Sequence, residues 1–414
     1  MGRPELRIAV VSPFLDRQHG TELCTIEQIE RLARLHGWEI HLYSQRVQDV
    51  AGIQSVGDPS PSASGSIIWH KVGQLHAPHL LNYIWWFFAN RVHRWRDSWE
   101  PALRPDLTYS PGINCMDAGA ILVHIVFREF YEQVRGELRL RCLPVLSWPR
   151  TLHRKLYYRL IISLESRIYG NPRVKLAAVS QLVAEQLRKH FGREDVVLIP
   201  NAVDTARFSA QARLENRTAA RAALGYSPDE FVLLLIGNDW KKKGLDALLA
   251  SLGLLRDLPC RALLVGTDDA APFLSLIDGA NLRESVRFRE PASDVLKFYA
   301  AADAYVGPSL EDAFNLPILE AMACGLPVIA SVRAGASQNI RHRENGYLLQ
   351  DPRNARELAG LIRQLYVDSS LREEMGNAAA RTASGCNWQS NAEQTKSFLE
   401  MAAIGEHAAR TAQS

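Results

Sequence analysis

The sequence predicts an α/β protein made of two doubly wound, parallel-sheet domains. Three observations carry this. Short apolar segments bounded by turn residues alternate with stretches of helical spacing, the pattern of β-α-β units and a parallel sheet. The alternation stops at the irregular polar stretch that begins Asn201-Ala-Val-Asp204, then restarts at Phe231. The chain has 414 residues, 47% hydrophobic and 22% charged, enough for two domains of about 200 residues, each with its own core.

Residues 7–12 read as the first strand, followed by a loop through His19-Gly20-Thr21, a helix from about Glu22 to Leu35, and a strand over 38–43. Residues 58–66, rich in Pro, Ser and Gly, read as a surface loop. Between 81 and 99 stand Trp85, Trp86, Phe87, Phe88, Trp95 and Trp99, interleaved with Arg91, Arg94 and Arg96. A strand over 120–124 leads into a basic region, and 138–164 holds six Arg or Lys residues and no acid. Residues 174–180 and 196–200 read as two more strands separated by a helix. After the linker come strands at 231–237, 261–266, 286–290 and 304–307, with helices from Leu245 and Val295. A last helix over 316–324 has Leu316, Leu319, Met322 and Ala323 at helical spacing, Pro317 in its first turn and Gly325-Leu-Pro327 at its end. Two such domains are expected to face one another, with the ligand in the cleft between them.

Composition narrows the partners. A net charge of +3 makes no global case for nucleic acid. No apolar run approaches the roughly 20 residues of a membrane span, and residues 1–7 lead into a strand without a signal-like region. Gly2 is not in a myristoylation motif, since position 6 is Leu. The six cysteines (24, 115, 142, 260, 324, 386) are scattered and include no CxxC. That pattern predicts reduced thiols in a cytosolic protein, with neither a zinc site nor a disulfide framework.

Three loops carry chemistry. Asp312 and Glu320 lie on either side of a strand-to-helix turn, where α/β folds place ligands. One carboxylate there reads as a solvated acid. A pair can accept from a vicinal diol, and the helix-start amides around 313–316 beside it can donate to anionic oxygens. In Gly237-Asn-Asp-Trp-Lys241-Lys242-Lys243-Gly244 the first glycine permits close approach to the backbone, and lysines can reach phosphate oxygens. Lys241 reads as solvated, Lys242 and Lys243 as the phosphate candidates. Gly20 and Thr21, in the first βα loop, can offer amides to a diphosphate, although no G-x-G-x-x-G points to a dinucleotide. His124 ends a buried strand, where a packed core histidine and a ligand contact both remain open.

These residues also carry a resemblance. The run from Asp312 to Gly325 is similar to the E-x7-E loop and following L-E-A-M-A-C-G of the retaining, GT-B fold glycosyltransferases of family 4. Residues 237–244 resemble that family's diphosphate loop, and Ile199-Pro-Asn-Ala-Val-Asp204 with Phe208 its I-P-N-G-V-D linker. The likeness is strongest over 175–350. Three positions depart from it: Asp312 replaces Glu, Asn238 stands where many relatives have Arg, and Gln338 where Glu is common.

The resemblance implies an N-terminal Rossmann-like acceptor domain over 1–200, a Rossmann-like donor domain over 201–385, and a C-terminal helix over 386–414 returning to the first domain. It implies a UDP- or GDP-linked nucleotide sugar as donor. Glu320 would hold the ribose hydroxyls and Lys243 and Lys242 the diphosphate, beside Gly237. Amides of Phe314, Asn315 and Leu316 would meet the hexose, Gly20 and Thr21 would cap the diphosphate, and His124 would touch the transferred sugar. His124, Lys243 and Asp312 form the implied catalytic set.

Transfer would retain configuration without a carboxylate nucleophile, driven by stabilising the departing diphosphate. No D-x-D motif is present, and Asp268-Asp269 reads as a loop acid pair, so metal independence and no cofactor are expected. The implied acceptor is a glycan or lipid-linked glycan of cell-surface polysaccharide or lipopolysaccharide. A cytoplasmic protein lying peripherally on the membrane face is expected, with no nucleic-acid partner. The 81–99 cluster reads as a buried amphipathic helix with its Arg side chains outward, the 138–164 run as attachment to an anionic membrane. Two alternatives stand: a GT-B protein that binds a nucleotide sugar or partner without transfer, and a GT-B epimerase.

Overall fold

A computed structural model describes residues 6–55, 65–135 and 148–411. Most of the expected 58–66 loop, and the 138–147 part of the basic run, lie outside the described residues. The chain divides into two compact units, Met1–Pro200 with Gln389–Ser414, and Asn201–Trp388.

In the first unit the order is β1 (Arg7–Val11), β2 (Phe14–Leu15), α1 (Gly20–His36), β3 (Glu39–Ser44), β4 (Arg46–Val47), β5 (Ile53–Ser55) and β6 (Ser66–Lys71). Then follow α2 (His79–Asp97), β7 (Leu107–Ser110), β8 (Ala120–Val123), α3 (Phe127–Val134), α4 (Trp148–Ile168), β9 (Lys175–Ala178), α5 (Gln181–Phe191) and β10 (Val197–Leu198). Eight strands form one parallel sheet in the order β10-β9-β8-β7-β1-β3-β6-β5, and β2 pairs with β4. Strands β1, after Arg7, and β8 are continuous apolar runs, as in parallel sheets buried on both faces. Ile8, Val10, Leu107, Ile121 and Val123 are accordingly fully buried.

The second unit runs α6 (Ala210–Leu224), β11 (Phe231–Ile236), α7 (Leu245–Gly253), β12 (Cys260–Val265), α8 (Ala271–Gly279), β13 (Val286–Arg289), α9 (Leu296–Ala301) and β14 (Ala304–Gly307). It continues with α10 (Leu316–Ala323), β15 (Val328–Ser331), β16 (Tyr347–Leu349), α11 (Ala355–Val367) and α12 (Ser369–Ser384). Its sheet is parallel, in the order β13-β12-β11-β14-β15-β16. From β11 the chain winds outward through β12 and β13, then crosses back to lay β14 on the other side of β11. Leu233 pairs with Ala304 and Leu234 with Tyr305. This reversal is the switch point of the winding, and open α/β sheets hold their ligands beyond the carboxyl ends of the strands at such a point.

Helix α13 (Trp388–Thr411) follows the second unit, and from Gln389 onward belongs to the first. Buried polar groups fasten it there. Asn391 Nδ2 donates to the Pro200 carbonyl at 2.7 Å, Gln28 Nε2 donates to Asn391 Oδ1 at 3.0 Å, and Tyr109 Oη donates to Gln28 Oε1 at 2.9 Å.

Two expectations need correction. Gly20 and Thr21 are not in a loop but form the first turn of α1, because the chain turns into the helix directly after His19. Most of the 81–99 cluster is one helix, and it is oriented only partly as expected: Trp86 is buried and Arg91 and Arg96 are exposed, but Arg94 is buried and Phe88, Trp95 and, just past the helix, Trp99 are exposed. A half-exposed carboxylate partner, Asp117, makes the burial of Arg94 possible.

Candidate functional site

The loops after β11 and β14 build the site in the second unit, and glycines set their path. Gly237, at φ 135°, closes β11 with its amide on the Val265 carbonyl at 2.9 Å. A Cβ there would stand 2.7 Å from Lys243 Cε. The space that sequence reading assigned to an approaching ligand is thus taken by the Lys243 side chain, which passes over the bare backbone. Gly244, at φ 83°, lies so close to the next loop that a Cβ would be 2.0 Å from the Pro308 carbonyl oxygen. Leu310 N donates to the Lys242 carbonyl at 2.7 Å, which joins the two loops.

Lys243 is therefore delivered to the second loop. Its Nζ lies 2.6 Å from Asp312 Oδ2 and 3.3 Å from Asn315 Oδ1. An ammonium has three donors, so one N–H remains for a ligand. Lys242 Nζ turns instead to Asp239, at 3.1 Å. Asn238, where a cationic residue is common, ties its loop to the one after β12, its Oδ1 accepting from Thr267 N at 2.9 Å and from Thr267 Oγ1 at 3.0 Å. Asp268 and Asp269 cap the amides of Trp240 and Ala271 at 2.6 and 2.9 Å, the behaviour of a loop acid pair.

The second loop is held by its own carboxylate. Asp312 Oδ1 accepts from Phe314 N at 3.2 Å, so the Phe314 amide is not available to a hexose. The Phe314 carbonyl is likewise occupied, by Ala336 N at 2.6 Å. Asn315, at φ 70°, caps α10; its Nδ2 donates to Ser309 Oγ at 3.2 Å and its Oδ1 accepts from Tyr305 Oη at 3.4 Å. The left-handed turn at Asn315 leaves its own amide and that of Leu316 without acceptors among the described residues. Both belong to the unpaired first turn of a helix, which attracts oxygens bearing negative charge.

One helical turn further, Glu320 accepts a short hydrogen bond from Tyr299 on Oε2. Its Oε1 has no donor among the described residues. Burial pushes the Glu320 carboxyl above its ordinary range, opposed by the Tyr299 hydroxyl and by Arg207. Tyr299 in turn packs edge-on against Phe208 of the linker, ring centroids 5.6 Å apart. Sequence reading missed Tyr299, because its spacing in α9 marked it only as a core residue.

In the first unit, Gly20 and Thr21 offer two amides without acceptors among the described residues. The turn before them is organised by Asp16, another residue the sequence did not single out. Asp16 Oδ1 accepts from Gln18 N at 3.0 Å, His19 N at 3.1 Å and His19 Nδ1 at 2.8 Å. Burial raises the Asp16 pKa, but the His19 ring and these amides outweigh it and the net shift is downward. Burial holds Glu22, in the same turn, above the carboxylate range. His124, just past β8, is buried with its Nε2 unpartnered. Desolvation lowers its pKa to about 3, which keeps the ring neutral. Among the described residues, Glu129, Glu132 and His190 form a group with the spacing of metal ligands. Glu129 is already closed by Lys189 and His190, each at 2.6 Å, so the group reads as an ion-pair cluster.

Known proteins share this architecture. The family model described as Glycosyl transferases group 1 matches residues 216–382, and that described as Glycosyltransferase Family 4 matches residues 19–207. A D-inositol 3-phosphate glycosyltransferase of Paenarthrobacter aurescens (strain TC1) is 30% identical over 242 residues, covering 56% of this chain and 58% of the relative. The chain thus spans little more than half the length of the curated relatives it matches. Among solved structures, WaaG, a glycosyltransferase involved in lipopolysaccharide biosynthesis, superposes with a TM-score of 0.73 at 20% identity, covering 94% of this chain and 98% of WaaG. Anabaena Alr3699/HepE in complex with UDP-glucose gives a TM-score of 0.68 at 19% identity, covering 96% and 100%. These likenesses establish the fold, and the two family models account for both units. With both of its Rossmann-like domains matched, the chain belongs to the GT-B glycosyltransferases of family 4.

Proposed function

We propose that the chain moves a sugar from a UDP- or GDP-linked donor to a glycan or lipid-linked acceptor, with retention of anomeric configuration and without a metal. The observation that carries this is the Lys243–Asp312–Asn315 cluster beside the free amides of Asn315 and Leu316. It sets one ammonium N–H and two helix-start amides at the carboxyl ends of adjacent strands, a place suited to an anionic oxygen. Glu320, with Oε1 unoccupied, is suited to a ribose diol. A nucleotide sugar is also what the Anabaena protein of this fold holds.

In this reading the donor lies with its diphosphate against Lys243 and its hexose near Asp312. As the bond to the anomeric carbon breaks, charge grows on the leaving phosphate, where Lys243 and the loop amides stabilise it most. That phosphate then takes the acceptor hydroxyl's proton on the same face. His124, neutral and with Nε2 unpartnered, is assigned to the transferred sugar, and Gly20 and Thr21 to the diphosphate. Such a transfer would serve assembly of a cell-surface polysaccharide or lipopolysaccharide, and WaaG, which shares the fold, is involved in lipopolysaccharide biosynthesis.

One observation favours a second reading, in which the chain binds a nucleotide sugar without transferring it. Asp312 neutralises Lys243 at 2.6 Å, which weakens the charge available to a leaving group. A thermal-shift panel of nucleotides and nucleotide sugars, followed by assay of nucleotide release, separates the two. Transfer predicts one stabilising donor and acceptor-dependent release. Stabilisation without release supports the second reading, and a silent panel rejects both.

A further inference from the structure

An ordinary surface helix keeps its apolar residues on one inward stripe, whereas helix α2 carries them on its outward face as well. Its inward face includes Trp86, Ala89, Asn90 and Arg94, all buried. Arg94 is clamped by Asp117 at 2.9 and 2.7 Å and by Asn90 Oδ1 at 2.9 Å. The outward face carries Leu81, Ile84, Phe88, Val92 and Trp95, with Trp99 just past its end. Steps of three and four residues place them on one stripe, whose helical part from Leu81 to Trp95 is about 21 Å long at 1.5 Å per residue. Phe88 is 63% exposed, Trp95 58% and Trp99 71%. An uncovered aromatic stripe of this size marks a docking face.

Charge selects the partner. Arg91 and Arg96 are exposed on α2, and its one acid, Asp97, is committed to His70 Nδ1 at 2.8 Å and to Tyr43 Oη at 3.0 Å. Glu100 is the acid just beyond the stripe. At this end of α2 a cavity of about 270 Å³ is lined by Trp69, His70, Lys71, His93, Arg96 and Asp97, among others. Helix α4 packs beside α2, with Tyr157 against His79 and Tyr83 at centroid distances of 4.9 and 5.6 Å. It too exposes apolar residues at every fourth position, Trp148, Leu152 and Leu156, alongside Arg154 and Arg159.

We propose that the α2 stripe lies in the headgroup region of a bilayer containing anionic phospholipid, with lipid phosphates taken up by Lys71, His93 and Arg96. Aromatic side chains favour that depth, and cations beside them select negative lipid. No helix among the described residues is long and apolar enough to cross a membrane, which fits a helix lying in the surface plane. A second copy of the chain is a poorer occupant, since a two-fold contact through α2 would bring Arg91 and Arg96 near their own counterparts. The proposal is independent of the donor site and stands or falls without it.

The test is sedimentation of the full chain with vesicles of phosphatidylcholine alone or with about one-third phosphatidylglycerol. Binding to the mixed vesicles, weakened by high salt, is expected. Phe88→Ser with Trp95→Ser and Trp99→Ser should reduce affinity roughly tenfold or more, and Lys71→Glu with Arg96→Glu should abolish the preference for anionic lipid. Quenching of tryptophan emission by brominated lipid reads the same contact in the unmodified protein, so misfolding of a variant does not hide the answer. No binding, equal binding to both vesicles, or a solution dimer that the aromatic variant dissociates would overturn the proposal.

Discussion

Lys243 Nζ and Asp312 Oδ2 form an ion pair of 2.6 Å that joins the loops of two neighbouring strands. Both side chains are more than four-fifths buried, at 15% and 19% exposure, so solvent screens the pair only partly. The pair gives Asp312 a second role beside any contact with the hexose. It restrains the cation assigned to the diphosphate.

Asp312→Asn therefore relaxes that restraint. A nucleoside diphosphate should bind the variant more tightly, by about threefold to tenfold, because an unpaired ammonium attracts phosphate more strongly. Calorimetric titration checks it, and weaker binding would mean that Asp312 does not hold Lys243 back. In Lys243→Ala, by contrast, an unpaired and largely buried carboxylate should lower stability by about 1–3 kcal/mol, with a still larger loss of turnover.

Glu320→Gln separates binding from stability. The folded-state pKa of Glu320 is raised by burial, so its contribution to stability is present below the unfolded pKa and lost as pH rises through the folded value. The variant does not undergo that loss, and its melting temperature relative to the parent should improve from acid to neutral pH. Donor affinity should meanwhile fall by about 1–2 kcal/mol, since a neutral amide replaces a charged acceptor. If affinity is unchanged, the ribose does not rest on Glu320.

Gly237→Ala puts a methyl group 2.7 Å from Lys243 Cε at a backbone φ of 135°. Strain of this kind costs about 1–3 kcal/mol, and it should displace the lysine from Asp312. Denaturant unfolding together with a diphosphate titration will show both effects. A stable variant with normal diphosphate affinity would remove the glycine from the account of the site.

His124 predicts a pH dependence of opposite sign to Glu320. Its pKa is lowered from 6.5 to about 3 by burial, so the stability it confers is present above 6.5 and lost as pH falls toward 3. His124→Phe should flatten that part of the stability profile. An unchanged profile would mean that the ring is protonated or solvated in the folded state.

The double winding of both units was legible because parallel strands buried on both faces leave long apolar runs, as at Phe231–Ile236 and Ala304–Gly307. Asp312 and Glu320 stood out through their spacing around a strand-to-helix turn. What spacing could not show was that Phe314 N is committed to Asp312, or that Gly237 makes room for a lysine rather than a ligand. Those depend on where a side chain lies once two loops meet. The outward turn of Trp95 was hidden for a similar reason: Arg94 faces inward only because Asp117, distant in sequence, is there to receive it. Tyr299 gave no signal, since a core tyrosine and one that positions a carboxylate have the same helical spacing.

In the proposed transfer the Lys243 cluster stabilises a departing nucleoside diphosphate. The most direct measurement is release of nucleoside diphosphate from the full chain given the stabilising nucleotide sugar and a glycan acceptor, compared between the parent and Lys243→Arg. Acceptor-dependent release should fall by about 10²-fold or more in the variant while the fold persists. Equal release from the two proteins would mean that Lys243 does not stabilise the leaving diphosphate.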